Sequence, residues 1–481
     1  MTMMKSRSPT LSQVPLKIVG SNHFGRYPKI SQEQTFNMIV SDGWLVDYAG
    51  YKQVGNVSGG EGRGIYSSQR LGAMIVVIDN IVYSVNNGLT ETPVGRINTF
   101  SGDVFIAENN AKQIAICDKI NIWIYNYGNG TFTQASTSGT PGTGLSFLPG
   151  YIAFQDGYFI SVDLNSNRWF LSNPNDGTTW PAGGPNVGII STKPDTAIAA
   201  VPMPGKAGLL LVFGQNVAEP WRDVGYTLFP YQRSNYNFDH GAANAATIAV
   251  NDRFMGWLAI NQKSGPVVMS SDGSDVKKVS TDGLDFKLSQ LTNPMDSYGF
   301  FLQQDGHLLY QLTFPTDNVS YVFDFNKDPV EFYSLCDEYM NYHIAKRVAF
   351  FNGQYYFVSI NDGVLYQFGT QFTTLNGAEM PRIRITNTIR MEDSSPFVAN
   401  NAEFTIEQGI NSSIQAVDMS ISKNGGLSFS NDYRKTLNAQ GYGQNRLNYW
   451  DLGQCNELTC QFRFWSQGRF TATNGMVNYY Q

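Results

Sequence analysis

The stretch YIAFQDGYFISV at Tyr151–Val162 decides the fold. In it, two runs of apolar and aromatic residues flank the polar dipeptide Asp156–Gly157. An Asp-Gly dipeptide between two apolar runs is a strong short-range signal of a two-residue hairpin turn, because both residues tolerate a positive φ. The stretch therefore predicts an antiparallel β-hairpin.

The same arrangement of half-strand, tight polar turn and second half-strand occurs seven times. The units start about 40 to 60 residues apart, a spacing typical of propeller blades with four strands each. They span Met74–Val85, Gln113–Tyr125, Tyr151–Val162, Leu209–Trp221, Phe254–Ser270, Tyr298–Leu312 and Val348–Ile360. We therefore predict an all-β protein with a β-propeller of six or seven blades, closed by an N-terminal strand at Trp44–Tyr48. For any single hairpin, a β-sandwich is the alternative.

Changes in composition divide the chain into three expected parts. Residues 1–40 are predicted to form an N-terminal arm and residues 41–376 the propeller. Residues 377–481 are predicted to form a C-terminal antiparallel β module, because alternating apolar segments follow there in a different rhythm. Within the propeller, the Gly-, Ser- and Thr-rich segment 128–150 and the aromatic, Asn-rich segment 223–247 are predicted to be inserted loops.

The segment 223–247 is too apolar for a plain linker. Aromatic residues are enriched at protein interfaces, so we expect this segment to contact a neighbouring subunit or a partner. The candidate interface residues are Tyr226, Phe229, Tyr231, Arg233, Tyr236 and Phe238.

The composition also limits the function. Charged residues make up 15% of the chain, below the typical value of about 25%, and the net charge is −6. No run of Lys and Arg residues indicates a nucleic-acid-binding surface. No apolar run approaches the roughly 20 residues of a membrane helix, so no membrane anchor is expected.

Motifs for catalysis, metal binding or cofactors are not visible in the sequence, and we predict a protein that is not an enzyme. The four histidines, His23, His240, His307 and His343, are scattered, and no Ser–His–Asp or Cys–His set has sequence support. Cys455 and Cys460 could pair through a local turn, but free buried thiols are the preferred interpretation. The turn-like Asp-Gly sites at Asp272, Asp282 and Asp305 need no calcium to explain them.

One local motif supports a propeller. Leu171–Trp180, LSNPNDGTTW, resembles the Asp-box turn of sialidase-type propellers. In those enzymes the turn is structural and lies away from the active site. The Arg-Ile-Pro start signature of the sialidases is missing, since PRIRI at Pro381–Ile385 lies far from the N-terminus.

Several blocks in order resemble the packaged-DNA stabilization proteins of short-tailed bacteriophages, which form the tail nozzle. The resemblance covers residues 27 to about 370. The blocks are Tyr27–Lys52, Asn167–Trp180 (NRWFLSNPNDGTTW), Glu219–Gly225 (EPWRDVG), Phe229–Arg233 (FPYQR), Gly241–Ile248 (GAANAATI) and Gly265–Leu284.

This resemblance implies a structural protein of the virion tail, assembled in the host cytoplasm as a ring, commonly of six copies. The ring would lie below a head-to-tail adaptor and carry fibres, spikes or a plug. It would retain packaged double-stranded DNA and conduct it during ejection without specific binding. An acidic lumen would let the duplex slide. The alternatives are a carbohydrate-binding tail adhesin and a propeller glycosidase that acts on host envelope polysaccharide.

Overall fold

The computed structural model of the chain describes residues 11–26, 32–57, 59–181, 183–203, 205–226, 229–260, 265–408, 416–437, 444–466 and 470–480. Within these ranges nearly all regular structure is β. The helices there are the α-helix Asp282–Leu288 and the short 3₁₀ helices Gly184–Asn186, Ala245–Thr247 and Pro294–Asp296. The predicted all-β class is confirmed.

The hairpin at Tyr151–Val162 forms as the sequence predicts. Gln155 pairs with Tyr158 across the two-residue turn, and Asp156 and Gly157 have φ values of 50° and 93°. Positive φ at both central positions defines a type I′ turn, and the twist of this turn matches the twist of the paired strands. Asn352 and Gly353 repeat the geometry, with φ values of 48° and 77°. These dipeptides set the hairpin registers locally.

Seven four-stranded antiparallel units, called blades 1 to 7 here, account for most of the described chain. Blade 1 consists of Gly62–Ser68, Ala73–Ile78, Ile81–Val85 and Glu91–Arg96. Blade 2 consists of Phe105–Glu108, Gln113–Cys117, Ile122–Asn126 and Thr131–Gln134. Blade 3 consists of Pro149–Gln155, Tyr158–Asp163, Arg168–Leu171 and Val187–Ile189. Blade 4 consists of Ala197–Pro202, Leu209–Gly214, Ala218–Asp223 and Tyr231–Arg233.

The remaining three blades follow in chain order. Blade 5 consists of Ala249–Val250, Met255–Ala259, Val267–Ser271 and Val276–Lys278. Blade 6 consists of Tyr298–Gln304, His307–Phe314, Val319–Asp324 and Glu331–Leu335. Blade 7 consists of Ala345–Phe351, Gln354–Ser359, Leu365–Gly369 and, as its outer strand, Gly50–Gln53.

The blades form a closed ring. The first strands of neighbouring blades contact one another at six of the seven junctions, including the junction between blades 7 and 1. At the remaining junction, between blades 4 and 5, the rings of Phe213 and Trp257 pack with centroids 5.3 Å apart. The first strands therefore surround the axis, and the predicted propeller is confirmed with seven blades in the described residues.

The closing strand lies a few residues beyond the predicted Trp44–Tyr48. Gly50–Gln53 pairs antiparallel with Leu365–Gly369 of blade 7. Trp44–Asp47 instead pairs with Met38–Ser41. A Cβ on Gly50 would lie 2.4 Å from the carbonyl oxygen of Phe372, so only glycine permits the strand to enter here. The neighbouring Tyr51 then anchors the strand in the blade core.

Two β-sheets form a sandwich beside the ring, and both include N-terminal and C-terminal strands. The first sheet contains Leu11–Leu16, Gly475–Tyr480, Phe397–Gln408, Phe470–Ala472, Trp44–Asp47, Met38–Ser41 and Gln444–Cys455. The second contains Gln34–Phe36, Ile383–Ile385, Glu457–Trp465, Ala416–Ser422, Tyr433–Thr436 and Ile389–Arg390. Phe36 pairs in parallel with Ser334, so the second sheet continues blade 6. Thr374–Leu375 and Ala378–Glu379 extend the sheet of blade 7.

The strand pairing moves the expected boundary between arm and propeller. Leu11–Leu16 pairs with Gly475–Tyr480, so the described part of residues 1–40 belongs to the sandwich. The propeller starts at Gly50 and not at residue 41. Residues 1–10 and 27–31 of the expected arm lie outside the described residues, as do residues 261–264 of one predicted turn.

Two of the predicted loops contain blade strands. Thr131–Gln134 within segment 128–150 pairs with blade 2, and Tyr231–Arg233 within segment 223–247 pairs with blade 4. The predicted turn at Asp282 is also wrong, because Asp282–Leu288 is helical and Thr281 accepts a hydrogen bond from the Leu284 N–H at its start. Side-chain capping outweighs the turn tendency of Asp-Gly at this site.

Two buried arginines tie the N-terminal strands to the C-terminal ones. Arg382 is fully buried and its Nε donates to Asp47 Oδ1 at 2.7 Å. Arg384 is fully buried and its Nη2 donates to Glu33 Oε2 at 2.7 Å. Arg384 also donates to the carbonyl oxygens of residues 17, 18 and 21. Buried charges are tolerated when they are paired and hydrogen-bonded to this extent.

Replacing Tyr51 should open the ring. Tyr51 is 3% exposed and its ring packs against those of Phe357 and Tyr366, with centroids 5.2 and 5.3 Å away. We expect Tyr51→Ala to lower the free energy of unfolding by about 3–5 kcal/mol through lost burial and a cavity, measured by chemical denaturation. Lys52→Ala, on the exposed face of the same strand, should stay within about 0.5 kcal/mol of the parent. Equal effects of the two substitutions would contradict the assigned closing strand.

Candidate interaction surfaces and axial cavity

The candidate interface segment runs along the outer edge of blade 4. Tyr231–Arg233 pairs with Ala218–Asp223 as the fourth strand. Further along the segment, the backbones of Phe238 and Ala218 exchange two hydrogen bonds of 2.9 Å. The segment is therefore fixed to its own subunit by backbone pairing. Thr227 and Leu228 lie outside the described residues.

Two of the six candidate residues belong to the core of their own subunit. Phe229 and Tyr231 pack on Trp169, with ring centroids 5.3 and 5.5 Å apart, and Trp221 joins the same cluster at 5.2 Å from Trp169. Tyr231 is 3% exposed and donates to Gln155 Oε1 at 3.2 Å. Burial strongly raises the pKa of its phenol. This cluster fastens blade 4 to blade 3.

Arg233 and the EPWRDVG block also have a role within the subunit. Arg233 donates to Thr192 Oγ1 at 2.7 Å. The fully buried carboxylate of Glu219 accepts hydrogen bonds from the backbone N–H groups of Ser191 and Thr192 and from the indole of Trp221. Glu219 is thereby satisfied inside the blade, so it is not available as a reactive carboxylate.

The exposed candidates are Tyr226 and Tyr236, together with Arg233, whose side chain is 42% exposed. Tyr226 is 63% exposed and Tyr236 is 44% exposed, and the nearby Val224 is 41% exposed. Phe238 is half-buried beneath Tyr236, with ring centroids 5.7 Å apart. Large exposed aromatic side chains are typical of surfaces that bind other proteins. Of the predicted aromatic residues, these two tyrosines are the exposed ones.

A cavity of about 940 Å³ opens at one end of the ring axis. It lies where the first strands of six blades end. No local sequence pattern signals this cavity, because its walls come from separate blades. Its lining combines aromatic and polar side chains, among them Tyr66, Arg70, Glu108, Phe154, Phe350 and Tyr355. Glu108 accepts hydrogen bonds from Ser68 Oγ at 2.9 Å and from the Tyr127 hydroxyl at 2.7 Å.

Near the end of the ring axis opposite to this cavity, side chains from different blades meet across the axis. Arg347 of blade 7 lies over the ring of Phe105 in blade 2, 5.3 Å from its centroid. The same guanidinium donates to the carbonyl oxygens of Ala246 at 2.9 Å and Gly299 at 3.1 Å, beside blades 5 and 6. Phe105 in turn packs on Tyr151 of blade 3, with centroids 4.7 Å apart. Contacts across the axis at this spacing leave no passage for a DNA duplex through a single propeller.

A buried carboxylate near this axial group has a strongly shifted pKa. Asp103 receives Lys119 Nζ at 2.8 Å and lies 3.8 Å from Lys346 Nζ. Burial alone would raise the pKa of Asp103, but the positive charges of Lys119, Lys346 and Arg347 outweigh it and lower the pKa to about 2. The carboxylate therefore stays ionised in the folded ring.

The part of the chain that the structure describes offers neither a candidate metal site nor a disulfide. It contains no cluster of His, Cys, Asp and Glu suited to a metal ion. All four cysteines are free and buried, and burial raises the pKa of the Cys460 thiol to about 12. Each helix in the same part is too short or too polar to cross a bilayer.

Comparison with known proteins gives one family match. A family model described as "Bacteriophage P22 Gp10, beta-propeller" matches residues 19–373. No curated protein matches the sequence.

Three solved structures are distantly similar to this chain. A streptogramin B lyase is 13% identical, with a TM-score of 0.41, over 68% of this chain and 99% of that one. An inactive virginiamycin B lyase from Staphylococcus aureus is 12% identical, with a TM-score of 0.45, over 66% and 98%. The N-terminal domain of Nup159 is 10% identical, with a TM-score of 0.41, over 70% and 98%. Likeness at this level carries no argument about activity.

Replacing a buried tyrosine of this segment and replacing an exposed one should have different effects on the free energy of unfolding. Tyr231→Ala should lower the free energy of unfolding by about 3 kcal/mol or more, because it removes a buried ring from the Trp169 cluster. Tyr226→Ala should change it by less than about 0.5 kcal/mol, because that side chain is in solvent. Urea denaturation followed by tryptophan fluorescence would measure both. A large effect of Tyr226→Ala would show that this residue is not part of a free surface.

The shifted pKa of Asp103 predicts an acid-dependent loss of stability. A carboxyl whose folded pKa lies below its unfolded value stabilises the fold above the unfolded pKa of about 3.9, and this contribution is lost as pH falls towards about 2. Asp103→Asn should therefore be less stable than the parent at neutral pH, and the difference should narrow between pH 4 and pH 2. Thermal unfolding across this range measures it. A difference that stays constant with pH would exclude the shift.

Proposed function

Because the chain belongs to the family of bacteriophage P22 Gp10, the phage-stabilisation β-propellers, we propose that it is the tail nozzle subunit of a short-tailed phage. In this role, several copies form a ring below the head-to-tail adaptor. The ring retains the packaged DNA and becomes its conduit during ejection. The role is structural and needs no reactive centre.

The blocked propeller axis is the main observation that supports a ring of several copies. Arg347 contacts Phe105 across the axis and Phe105 packs on Tyr151, so the DNA path cannot be the hole of one propeller. A conduit must then lie between subunits arranged around a common axis. A closed ring uses heterologous contacts, in which one patch meets a different patch on the next copy.

The exposed aromatic surface on blade 4 supplies one such patch. We assign Val224, Tyr226 and Tyr236 to the contact between neighbouring copies. Their side chains are exposed, and the strand Tyr231–Arg233, which lies between Tyr226 and Tyr236 in the chain, pairs with Ala218–Asp223 of blade 4. The segment that carries them is therefore attached to the blade. Preformed aromatic surfaces lose little conformational entropy on binding.

The net charge of −6 per chain fits a conduit that does not grip DNA. Binding to the duplex depends on Lys and Arg that displace counterions from phosphates. A ring with a net negative charge displaces few counterions and therefore gains little binding free energy, so the duplex can move past it. The adaptor and the fibres, spikes or plug are further partners in this proposal.

The ring can be tested with purified full-length protein. We expect mass photometry and negative-stain electron microscopy to show closed rings, six copies being the expected number. The double variant Tyr226→Ala/Tyr236→Ala should shift the population to monomers by at least 10-fold, with an unchanged melting temperature. Two exposed aromatic hot-spot residues commonly contribute this much to an interface.

A matched control is Tyr339→Ala. Tyr339 is 77% exposed on the connection between blades 6 and 7, so its removal should leave the rings intact. Loss of rings in Tyr339→Ala with no loss in the double variant would move the contact to another surface. Monomers of the parent protein that also fail to bind an adaptor ring would contradict the nozzle role itself.

A further inference from the structure

The fold brings together a serine, a histidine and an aspartate that are far apart in the sequence. Ser41 Oγ lies 3.0 Å from His307 Nε2. His307 Nδ1 lies 2.7 Å from Asp324 Oδ2. Ser41 ends the strand Met38–Ser41 of the sandwich, whereas His307 and Asp324 belong to adjacent strands of blade 6. The three side chains therefore meet at the junction of the two parts.

The order of the contacts is that of an activated nucleophile. The hydroxyl contacts one ring nitrogen of the histidine and the carboxylate contacts the other. The side chain of Asp324 is fully buried and that of His307 is 10% exposed. Asp324 Oδ1 also accepts the Asn326 N–H at 3.1 Å, which fixes the carboxylate. A carboxylate held on Nδ1 favours the tautomer with a free Nε2 lone pair facing the hydroxyl.

A small cavity of about 160 Å³ adjoins Ser41 and His307. Its walls include the apolar side chains of Ile39 and Val46 and the hydroxyl-bearing Tyr48, Thr370 and Thr471. A cavity of this volume is comparable to those that hold one benzene-sized molecule. It suits a short acyl group and excludes a polymer chain.

The turn after Ser41 supplies the nearest backbone N–H groups along the chain. Asp42 and Gly43 form the two-residue connection to Trp44, with φ values of 48° and 81°. Serine nucleophiles in other folds also stand at tight turns, where the N–H of the next residue helps to stabilise the oxyanion. Asp42 has the corresponding position here.

We propose that Ser41 is a nucleophile for small acyl esters, with His307 as its general base and Asp324 as the residue that positions His307. Ser41 Oγ attacks the acyl carbon and His307 Nε2 takes its proton. The ester C–O bond breaks, and the leaving alkoxide takes the proton from His307. Water then attacks the acyl-serine with His307 as base, which releases the acid and restores Ser41. No oxidant, reductant or metal is needed.

This inference stands apart from the proposed nozzle role. It depends only on groups at the junction of sandwich and blade 6, remote in sequence from the blade 4 surface. A ring that assembles normally without reactivity, or a reactive monomer, would separate the two proposals.

Acetylation by p-nitrophenyl acetate tests the serine directly. The full-length protein is mixed with the ester, quenched and digested, and the peptide containing Ser41 is analysed by mass spectrometry. We expect one acetyl group on Ser41 and a burst of p-nitrophenol. Ser41→Ala should lose both, and His307→Gln should slow acetylation at least about 100-fold, the usual range for a lost general base.

Asp324→Asn separates positioning from a purely structural contact. An asparagine amide would donate to His307 Nδ1 and place the ring proton on Nε2, which then cannot accept from Ser41. The acylation rate constant should fall at least about 100-fold while the ester concentration for half-maximal rate stays unchanged. A merely structural contact would alter the melting temperature without this kinetic split.

Ser84→Ala is the matched control. Ser84 is a half-buried strand serine in blade 1, and its replacement should leave acetylation of Ser41 unchanged. Parent protein without acetyl-Ser41 would overturn the proposal, as would equal acetylation rates in the parent and His307→Gln. In either case the three residues would only be a hydrogen-bonded bridge between the sandwich and blade 6.

Discussion

The pairing of Gly50–Gln53 with Leu365–Gly369 is the contact on which the structure depends. It joins the chain before blade 1 to the last blade and so converts a row of hairpins into a ring. Without it, blade 7 would expose an unpaired edge, which strands seldom leave open without protection. Tyr51 stabilises the pairing from within an aromatic cluster, and the glycine before it permits close approach of the chain.

The same crossing of the chain builds the sandwich. Once the closing strand is in place, residues before it must lie beside residues that follow blade 7. Arg382 and Arg384 use this proximity to form buried ion pairs with Asp47 and Glu33. Removing one partner of such a pair leaves an uncompensated buried charge, which costs about 3–5 kcal/mol. Strand pairing of Phe36 with Ser334 attaches the sandwich to blade 6, and the two ion pairs hold the N-terminal and C-terminal segments together within the sandwich.

Both proposals depend on these fixed contacts between parts of the fold. A subunit of a conduit must present its contacts to two neighbours at fixed angles. On blade 4, the strand Tyr231–Arg233 between Tyr226 and Tyr236 is paired with Ala218–Asp223 and attaches this segment to the blade. At the junction of the sandwich and blade 6, Ser41 and His307 face each other only because the sandwich hairpin is held against this blade. A nucleophile and its base need such preorganisation.

The sequence by itself determined the β class, the hairpins and the repeat, because turns such as Asp156–Gly157 act through the φ preferences of adjacent residues. It also led to the family, through ordered local blocks. Only the tertiary structure decided that Gly50–Gln53 closes the ring, that Tyr231 is buried while Tyr226 is exposed, and that Ser41 meets His307. These features depend on register and packing between segments far apart in the chain, and no local preference specifies which distant segment a residue will contact.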